Sequence, residues 1–147
     1  MLLLIVAAGL ATARTGSTPD PCDGSTTIAV NACLAGKLER AEAELARYDA
    51  AALARLREAA QEAENGSNKA ALPTMFEKAG RAWAAYRDTE CDALYAKWSG
   101  GTIRTAMSLS CRLSMTRQRT HTVWRNWLTY ADSTSPILPE PEITADD

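Results

Sequence analysis

The feature that most constrains the fold is a stripe of apolar residues in the first half of the chain. The stripe recurs in steps of four, three, four, three, four and four residues, which is the spacing that puts side chains on one face of an α-helix. Charged side chains occupy many of the positions between. The pattern predicts a long helix, ending near residue 64, with one buried and one solvated face. The members of the stripe are Leu34, Leu38, Ala41, Leu45, Tyr48, Ala52 and Leu56.

A shorter helix is expected before this long one. Ser25, Thr26 or Thr27 can cap it, because a hydroxyl at this position accepts a hydrogen bond from a free backbone N–H of the first turn. The segment would run through Leu34, and Gly36 would lightly interrupt the helix before the long stripe continues.

Two further helices are predicted in the second half. Residues 65–68 (Asn-Gly-Ser-Asn) are a turn signal, and a helix should then extend over residues 72–98. The glycines at 100–101 turn the chain, and Thr102 is expected to cap a last helix that reaches about Tyr130. Because short connections make neighbouring helices antiparallel, the sequence predicts an all-α fold: a small antiparallel domain of about three long helices plus one short N-terminal helix.

The two ends of the chain differ from this helical pattern. Residues 1–13 are an apolar run followed by an A-x-A motif, as in a secretory signal peptide. Residues 14–24 then form an extended leader, and residues 25–131 the helical domain. Residues 132–147 are acidic and Pro-rich and are expected to be disordered. We therefore expect a periplasmic or secreted protein with no stable membrane anchor after cleavage; a helical anchor is the alternative if cleavage fails.

Export to an oxidising compartment favours disulfide bonds between the cysteines. The chain has four, Cys22, Cys33, Cys91 and Cys111, and an even count in an exported chain indicates disulfides. Zinc binding is the rival interpretation, but the cysteines lack the close C-x2–4-C spacing of such sites and the chain contains one histidine. No metal and no cofactor are expected.

The spacing of the cysteines predicts their pairing. Cys91 lies nine residues before Gly100 and Cys111 eleven residues after it. At about 1.5 Å rise per residue, the two sulfurs reach similar heights on antiparallel helices. A Cys91–Cys111 disulfide leaves Cys22 to pair with Cys33, and of the three possible pairings this one alone uses only local loops.

The helix over residues 72–98 carries charges on the face that should turn inward. Arg87 and Glu90 are three residues apart and can pair along the helix, so we interpret them as a structural pair; a recognition or catalytic carboxylate is the alternative. Asp88 and Asp92 are expected on a solvated face. The members of the inward face are Trp83, Tyr86, Arg87, Glu90, Cys91 and Leu94.

Neither catalysis nor nucleic-acid binding finds support in the sequence. The one histidine, His121, has no thiol partner if all cysteines form disulfides, and there is no G-x-S-x-G, phosphate-loop or H-E-x-x-H motif. A glycosidase-like pair of carboxylates stays open as an alternative. Lys and Arg number 16 against 18 Asp and Glu, whereas nucleic-acid binders usually carry a basic excess. We expect a protein that is not an enzyme and that does not bind nucleic acid.

Several motifs resemble those of a known family. The segment W-x-x-Y-R-D-x-x-C is followed by G-G-T-I at residues 100–103 and by C-x4-T-x2-R. Residues 27–33 are similar to a T-x-x-M-N-x-C start, with Val30 in place of methionine, and Gly80 stands where glutamine often precedes R-A-W. These motifs resemble the LprI-type lysozyme-inhibitor family. The residues that carry them are Trp83, Tyr86, Arg87, Asp88, Cys91, Cys111, Thr116 and Arg119.

The resemblance implies an exported, all-helical domain with two disulfides that inhibits lysozyme by protein–protein binding. The alternative is a structural or assembly domain of the cell envelope with an unknown partner. The recurring residues, together with Glu90, are expected to form a structural motif; no binding residue is assigned.

Overall fold

Three α-helices make up most of the domain in a computed structural model, which describes residues 22–24, 26–63 and 67–142. Helix α1 spans Thr27–Gln61, α2 spans Leu72–Lys97 and α3 spans Arg104–Val123. A 3₁₀ turn, Asn68–Ala71, precedes α2, and a π-helical turn, Trp124–Leu128, follows α3. The predicted all-α class is confirmed. The predicted signal peptide lies outside the described residues.

Helix α1 is continuous where the sequence suggested two segments. Thr26 is the cap, its hydroxyl accepting a hydrogen bond of 3.2 Å from the Ala29 amide. Gly36 lies inside the helix, so the expected separate short helix is wrong. A helical glycine costs about 1 kcal/mol relative to alanine, and burial of Leu34 and Leu38 on either side of it offsets that cost. All seven residues of the predicted stripe are buried.

The predicted start of α2 is correct, whereas the predicted cap of α3 is not. Helix α2 begins at the predicted Leu72, with Pro73 in its first turn. Thr102 does not cap α3: Ile103 occupies that position, without a side-chain cap. At the other end, Arg55 of α1 donates to the carbonyls of Trp127 (2.6 Å) and Thr129 (3.0 Å). These bonds satisfy carbonyls that the end of a helix leaves without partners.

The core lies mainly between α1 and α3, with α2 packed along both. One cluster surrounds Tyr48, and in it Phe76 meets Trp127 edge-on with ring centroids 5.6 Å apart. A second cluster surrounds Cys22 and Leu113 near the N-terminal end of α1. The buried stripe of α1 contributes to both clusters, whereas α2 packs more extensively against α3 than against α1.

The chain after α3 is ordered through residue 142, so the predicted disorder is wrong for residues 132–142; residues 143–147 lie outside the described part. The Tyr48 hydroxyl donates to the Pro139 carbonyl (2.7 Å), and the Trp124 indole donates to the Leu138 carbonyl (3.0 Å). The Ile137 amide donates to Leu128 (2.9 Å). Backbone carbonyls of this segment therefore accept from the polar atoms of core aromatic residues, which fixes the segment against the helices.

Both predicted disulfides are present. Cys22 pairs with Cys33 and Cys91 with Cys111, at Cα–Cα distances of 5.4 and 5.6 Å. The second bridge joins α2 to α3, as the height match across Gly100 predicted. Within the described residues, the structure contains no helix long and apolar enough to cross a membrane.

Candidate functional site

Arg87 lies at the centre of a polar network that joins all three helices. Its Nη1 donates to Glu42 Oε1 of α1 (3.0 Å) and to the Thr116 hydroxyl of α3 (3.1 Å). Its guanidinium also stacks over the Trp83 ring, 5.2 Å from the centroid. The Arg87 side chain is 12 % exposed, so its donors are used inside the domain. These contacts join Arg87 of α2 to both α1 and α3. They provide no evidence that Arg87 takes part in catalysis or recognition.

Asp88 connects that network to a second arginine. One carboxylate oxygen, Oδ1, accepts from Arg87 Nε (3.2 Å) and Nη2 (3.1 Å) and also from Arg112 Nη1 of α3. Arg112 Nη2 in turn donates to Asp92 (2.7 Å). The two side chains are 48 % and 70 % exposed, and both are also paired with arginine, which the sequence pattern did not indicate. Both carboxylates hold α2 against α3 beside the Cys91–Cys111 bridge.

Two residues predicted on the inward face are in fact outside it. Glu90 is exposed and forms no ion pair with Arg87, because the guanidinium turns toward α1 and α3 rather than along its own helix. Tyr86 is 60 % exposed. It lies at a shallow groove of about 240 Å³ between α2 and α3, whose other lining residues include Trp83, Met115 and Arg119.

Arg119 and Asp49 form a second, less satisfied polar site. The Arg119 guanidinium lies 5.9 Å from the Trp83 ring centroid and 6.0 Å from that of Phe76. Its Nε and the Asp49 Oδ1 are buried without hydrogen-bond partners. Burial raises the pKa of Asp49, and the positive charge of Arg119 only partly opposes that rise. Two oppositely charged side chains therefore lie in a half-buried position, which is consistent with a role in packing.

The tip of the α2–α3 hairpin, residues 95–104, presents a different surface. Tyr95, Trp98 and Ile103 are 39 %, 37 % and 43 % exposed. Lys97 lies over the Trp98 ring, 6.0 Å from its centroid, and Arg104 over the Tyr95 ring at 5.2 Å. Two aromatic rings, one aliphatic side chain and two cations are therefore gathered at one end of the molecule.

Besides the G-G-T-I motif at residues 100–103, the sequence contained a charge signal for this tip. No Asp or Glu occurs between Asp92 and Asp132, whereas that stretch holds six Lys and Arg residues. The overall balance of charge hides this asymmetry, because acidic residues before and after it compensate. Most motif residues support the fold, whereas the local excess of positive charge marks the surface at the hairpin tip.

Comparison with known proteins gives one match. No curated protein and no solved structure matches the chain. A family model described as "Lysozyme inhibitor LprI" matches residues 20–123, a range that includes both disulfides, the Arg87 network and the hairpin tip. Because this match covers well over half of the sequence, the chain belongs to the LprI lysozyme-inhibitor family.

Proposed function

We propose that the mature chain is an exported protein that inhibits a lysozyme by binding to it, without chemistry of its own. The observation that carries this proposal is the family match over residues 20–123. The matched range contains all three helices, so the whole helical framework is that of the family.

The arrangement of reactive groups supports binding over catalysis. All four cysteine sulfurs are held in disulfides. The imidazole of His121 lies 3.2 Å from Glu140 of the C-terminal segment, so it has a partner that positions it on the surface. Asp88 and Asp92, the acidic pair closest to the family motif, both accept from arginine. Both carboxylates are thus engaged in holding α2 against α3.

The disulfides also support a location outside the cytoplasm. Structural disulfides form and persist mainly in oxidising compartments such as the periplasm or the extracellular space. Lysozymes act on the cell wall in those same compartments. The predicted signal peptide at residues 1–13 would deliver the chain there.

The test is the rate at which bacterial cell walls are lysed by c-type, g-type and i-type lysozymes in the presence of a molar excess of the purified mature protein. We expect slower lysis with at least one class and a matching heat of binding by calorimetry. Protein reduced and alkylated at its cysteines is the matched control, and it should inhibit less because the α2–α3 hairpin loses its covalent link. Unchanged lysis with every class, together with no heat of binding, would contradict the proposal.

One observation favours a second candidate, a structural or assembly domain of the envelope. Arg87, Asp88 and Thr116, which carry the family motif, make their polar contacts within the domain. The motif therefore specifies a scaffold, and a scaffold serves different partners. Chemical cross-linking in intact cells would distinguish the two, since an assembly domain should cross-link to an envelope protein in the absence of lysozyme.

A further inference from the structure

We propose that the tip of the α2–α3 hairpin, residues 95–104, is the part of the protein that enters the substrate cleft of lysozyme. This inference rests on the proposed function and adds to it the surface that binds. The competing surface is the Tyr86 groove between α2 and α3.

Exposed apolar side chains cluster at the tip. The described residues include eight large apolar side chains that are exposed, and three of them, Tyr95, Trp98 and Ile103, lie within nine positions of one another. The others are dispersed over the remaining length of the chain. Tyrosine and tryptophan are the residues most often found at the energetic centre of protein interfaces, and here both lie exposed at the end of the α2–α3 hairpin.

The tip also carries two positive charges. Within the described residues, Lys97 and Arg104 have no carboxylate partner and are positioned only by the Trp98 and Tyr95 rings. Arg112, further down α3, is neutralised by Asp88 and Asp92. The tip is thus a cationic end on a chain whose net charge is −2.

The backbone of the tip is held in place on both sides. Backbone hydrogen bonds close the turn, from Ser99 to Ala96 (3.1 Å) and from Gly101 to Trp98 (3.0 Å). The Cys91–Cys111 disulfide clamps the two helices, seven residues before Trp98 and seven after Arg104, which is about 10 Å at 1.5 Å per residue. A surface that is ordered before binding loses less conformational entropy on association.

These properties match the cleft of a lysozyme. Glycoside hydrolases of this kind place two carboxyl groups on either side of the scissile bond, so the cleft is a concave site of local negative charge in a basic protein. The acidic remainder of the chain is complementary in charge to the basic surface of lysozyme, and the cationic tip is complementary in charge to the carboxylates of the cleft. The flat faces of Tyr95 and Trp98 can occupy space otherwise taken by sugar rings. Occupation of the cleft would make inhibition competitive with the cell-wall substrate.

The experiment compares two variants with equal changes in charge. Lys97→Glu/Arg104→Glu reverses the tip, and Lys69→Glu/Lys78→Glu reverses two exposed cations elsewhere. Both should melt like the parent, because all four side chains are on the surface. We expect the tip variant to bind lysozyme at least about tenfold more weakly, since reversed charges would oppose the cleft carboxylates, and the control variant to stay within about twofold of the parent. A chitooligosaccharide that fills the cleft should compete with the parent protein.

Two further variants separate the tip from the Tyr86 groove. Trp98→Ala should weaken binding, whereas Tyr86→Ala should not. Loss of binding in Tyr86→Ala with unchanged binding in both tip variants would overturn the inference and leave the proposed function standing. Failure of the parent to bind any lysozyme would overturn both. The tip also resembles a membrane-interface contact, in which Trp, Tyr and cations meet anionic headgroups. If only the tip variant loses binding to phosphatidylglycerol vesicles while inhibition of lysozyme is unchanged, the tip contacts lipid and the inference is wrong.

Discussion

The guanidinium of Arg87 on α2 donates to the hydroxyl of Thr116 on α3 across 3.1 Å, and Thr116 is fully buried. A buried hydroxyl without a partner would cost free energy, so the hydrogen bond from Arg87 offsets the cost of burying Thr116. The same arginine reaches Glu42 on α1. One side chain of α2 is thus linked to both of the other helices.

Replacement of Arg87 by alanine should destabilise the fold. The change leaves Thr116 without its donor and removes one of the two arginines that hold Asp88. Loss of one partner of a fully buried ion pair costs about 3–5 kcal/mol. Because the side chains of Glu42 and Asp88 are about half exposed, we expect a loss of about 2 kcal/mol in the free energy of unfolding, below that buried-pair range. Urea denaturation followed by circular dichroism measures it.

Glu90→Ala is the matched control for Arg87→Ala. Glu90 is one turn away on the same helix and is exposed, so the free energy of unfolding should change by no more than about 0.5 kcal/mol. A large effect of Glu90→Ala with a small effect of Arg87→Ala would restore the pairing that the sequence suggested and contradict the network.

Removal of the Cys91–Cys111 bridge should destabilise the domain. This bridge closes a loop with a sequence separation of 20 residues, against 11 for Cys22–Cys33. In the chain-entropy model the longer loop is worth about 3 kcal/mol and the shorter one slightly less. Cys91→Ala/Cys111→Ala should therefore melt lower than Cys22→Ala/Cys33→Ala. Peptide mapping without reduction checks the pairing itself, and a peptide that links Cys33 to Cys91 would contradict it.

The helices and disulfides could be predicted because their causes are local or periodic. The α1 stripe fixes one helical face through its own spacing, and all its members are buried. The bridge between Cys91 and Cys111 follows from counting residues on both sides of one turn. Such features depend on the chain within a few tens of residues, which is what a sequence displays directly.

The partners of individual side chains could not be predicted because they depend on how the helices rotate about their axes. A guanidinium on a long side chain can reach its own helix or a neighbour. That of Arg87 donates to Glu42 and Thr116 on the neighbouring helices and not to Glu90 on its own. The packed C-terminal segment was missed for a related reason. Its contacts with Tyr48 and Trp124 are made by backbone carbonyls, which every residue carries and no motif marks.

Truncation of the chain after Ser135 should lower stability. The cut removes the carbonyls that accept from the buried Tyr48 hydroxyl and the Trp124 indole, and it uncovers part of the core beneath Leu138. At about 1 kcal/mol for each lost hydrogen bond, we expect the free energy of unfolding to fall by about 2 kcal/mol or more. Thermal melts of this variant and of a control that lacks only residues 143–147 provide the measurement. Equal melting temperatures for the truncation and the parent would show that residues 136–142 do not stabilise the domain.

Replacement of Asp49 by asparagine should stabilise the protein at neutral pH and leave it unchanged in acid. Burial raises the pKa of Asp49 in the folded state above the value of about 3.9 expected in the unfolded chain. The folded state therefore binds the Asp49 proton more tightly than the unfolded state does. The resulting stability is fully present below the unfolded pKa and is lost as the pH rises through the folded pKa. Near pH 7 the buried carboxylate is a net cost, which asparagine avoids because it carries no charge.

Melting temperatures of Asp49→Asn and the parent across pH 3 to 8 test this expectation. The variant should melt higher at pH 7, and the two curves should converge toward pH 3, where the parent carboxyl is protonated. Asp92→Asn is the control, since Asp92 is exposed and accepts from Arg112 (2.7 Å); it should melt no higher than the parent at pH 7. A lower melting temperature for Asp49→Asn at pH 7 would mean that attraction to Arg119 outweighs the cost of burial. In that case Asp49 and Arg119 would stabilise the junction of α1 and α3 as an ion pair.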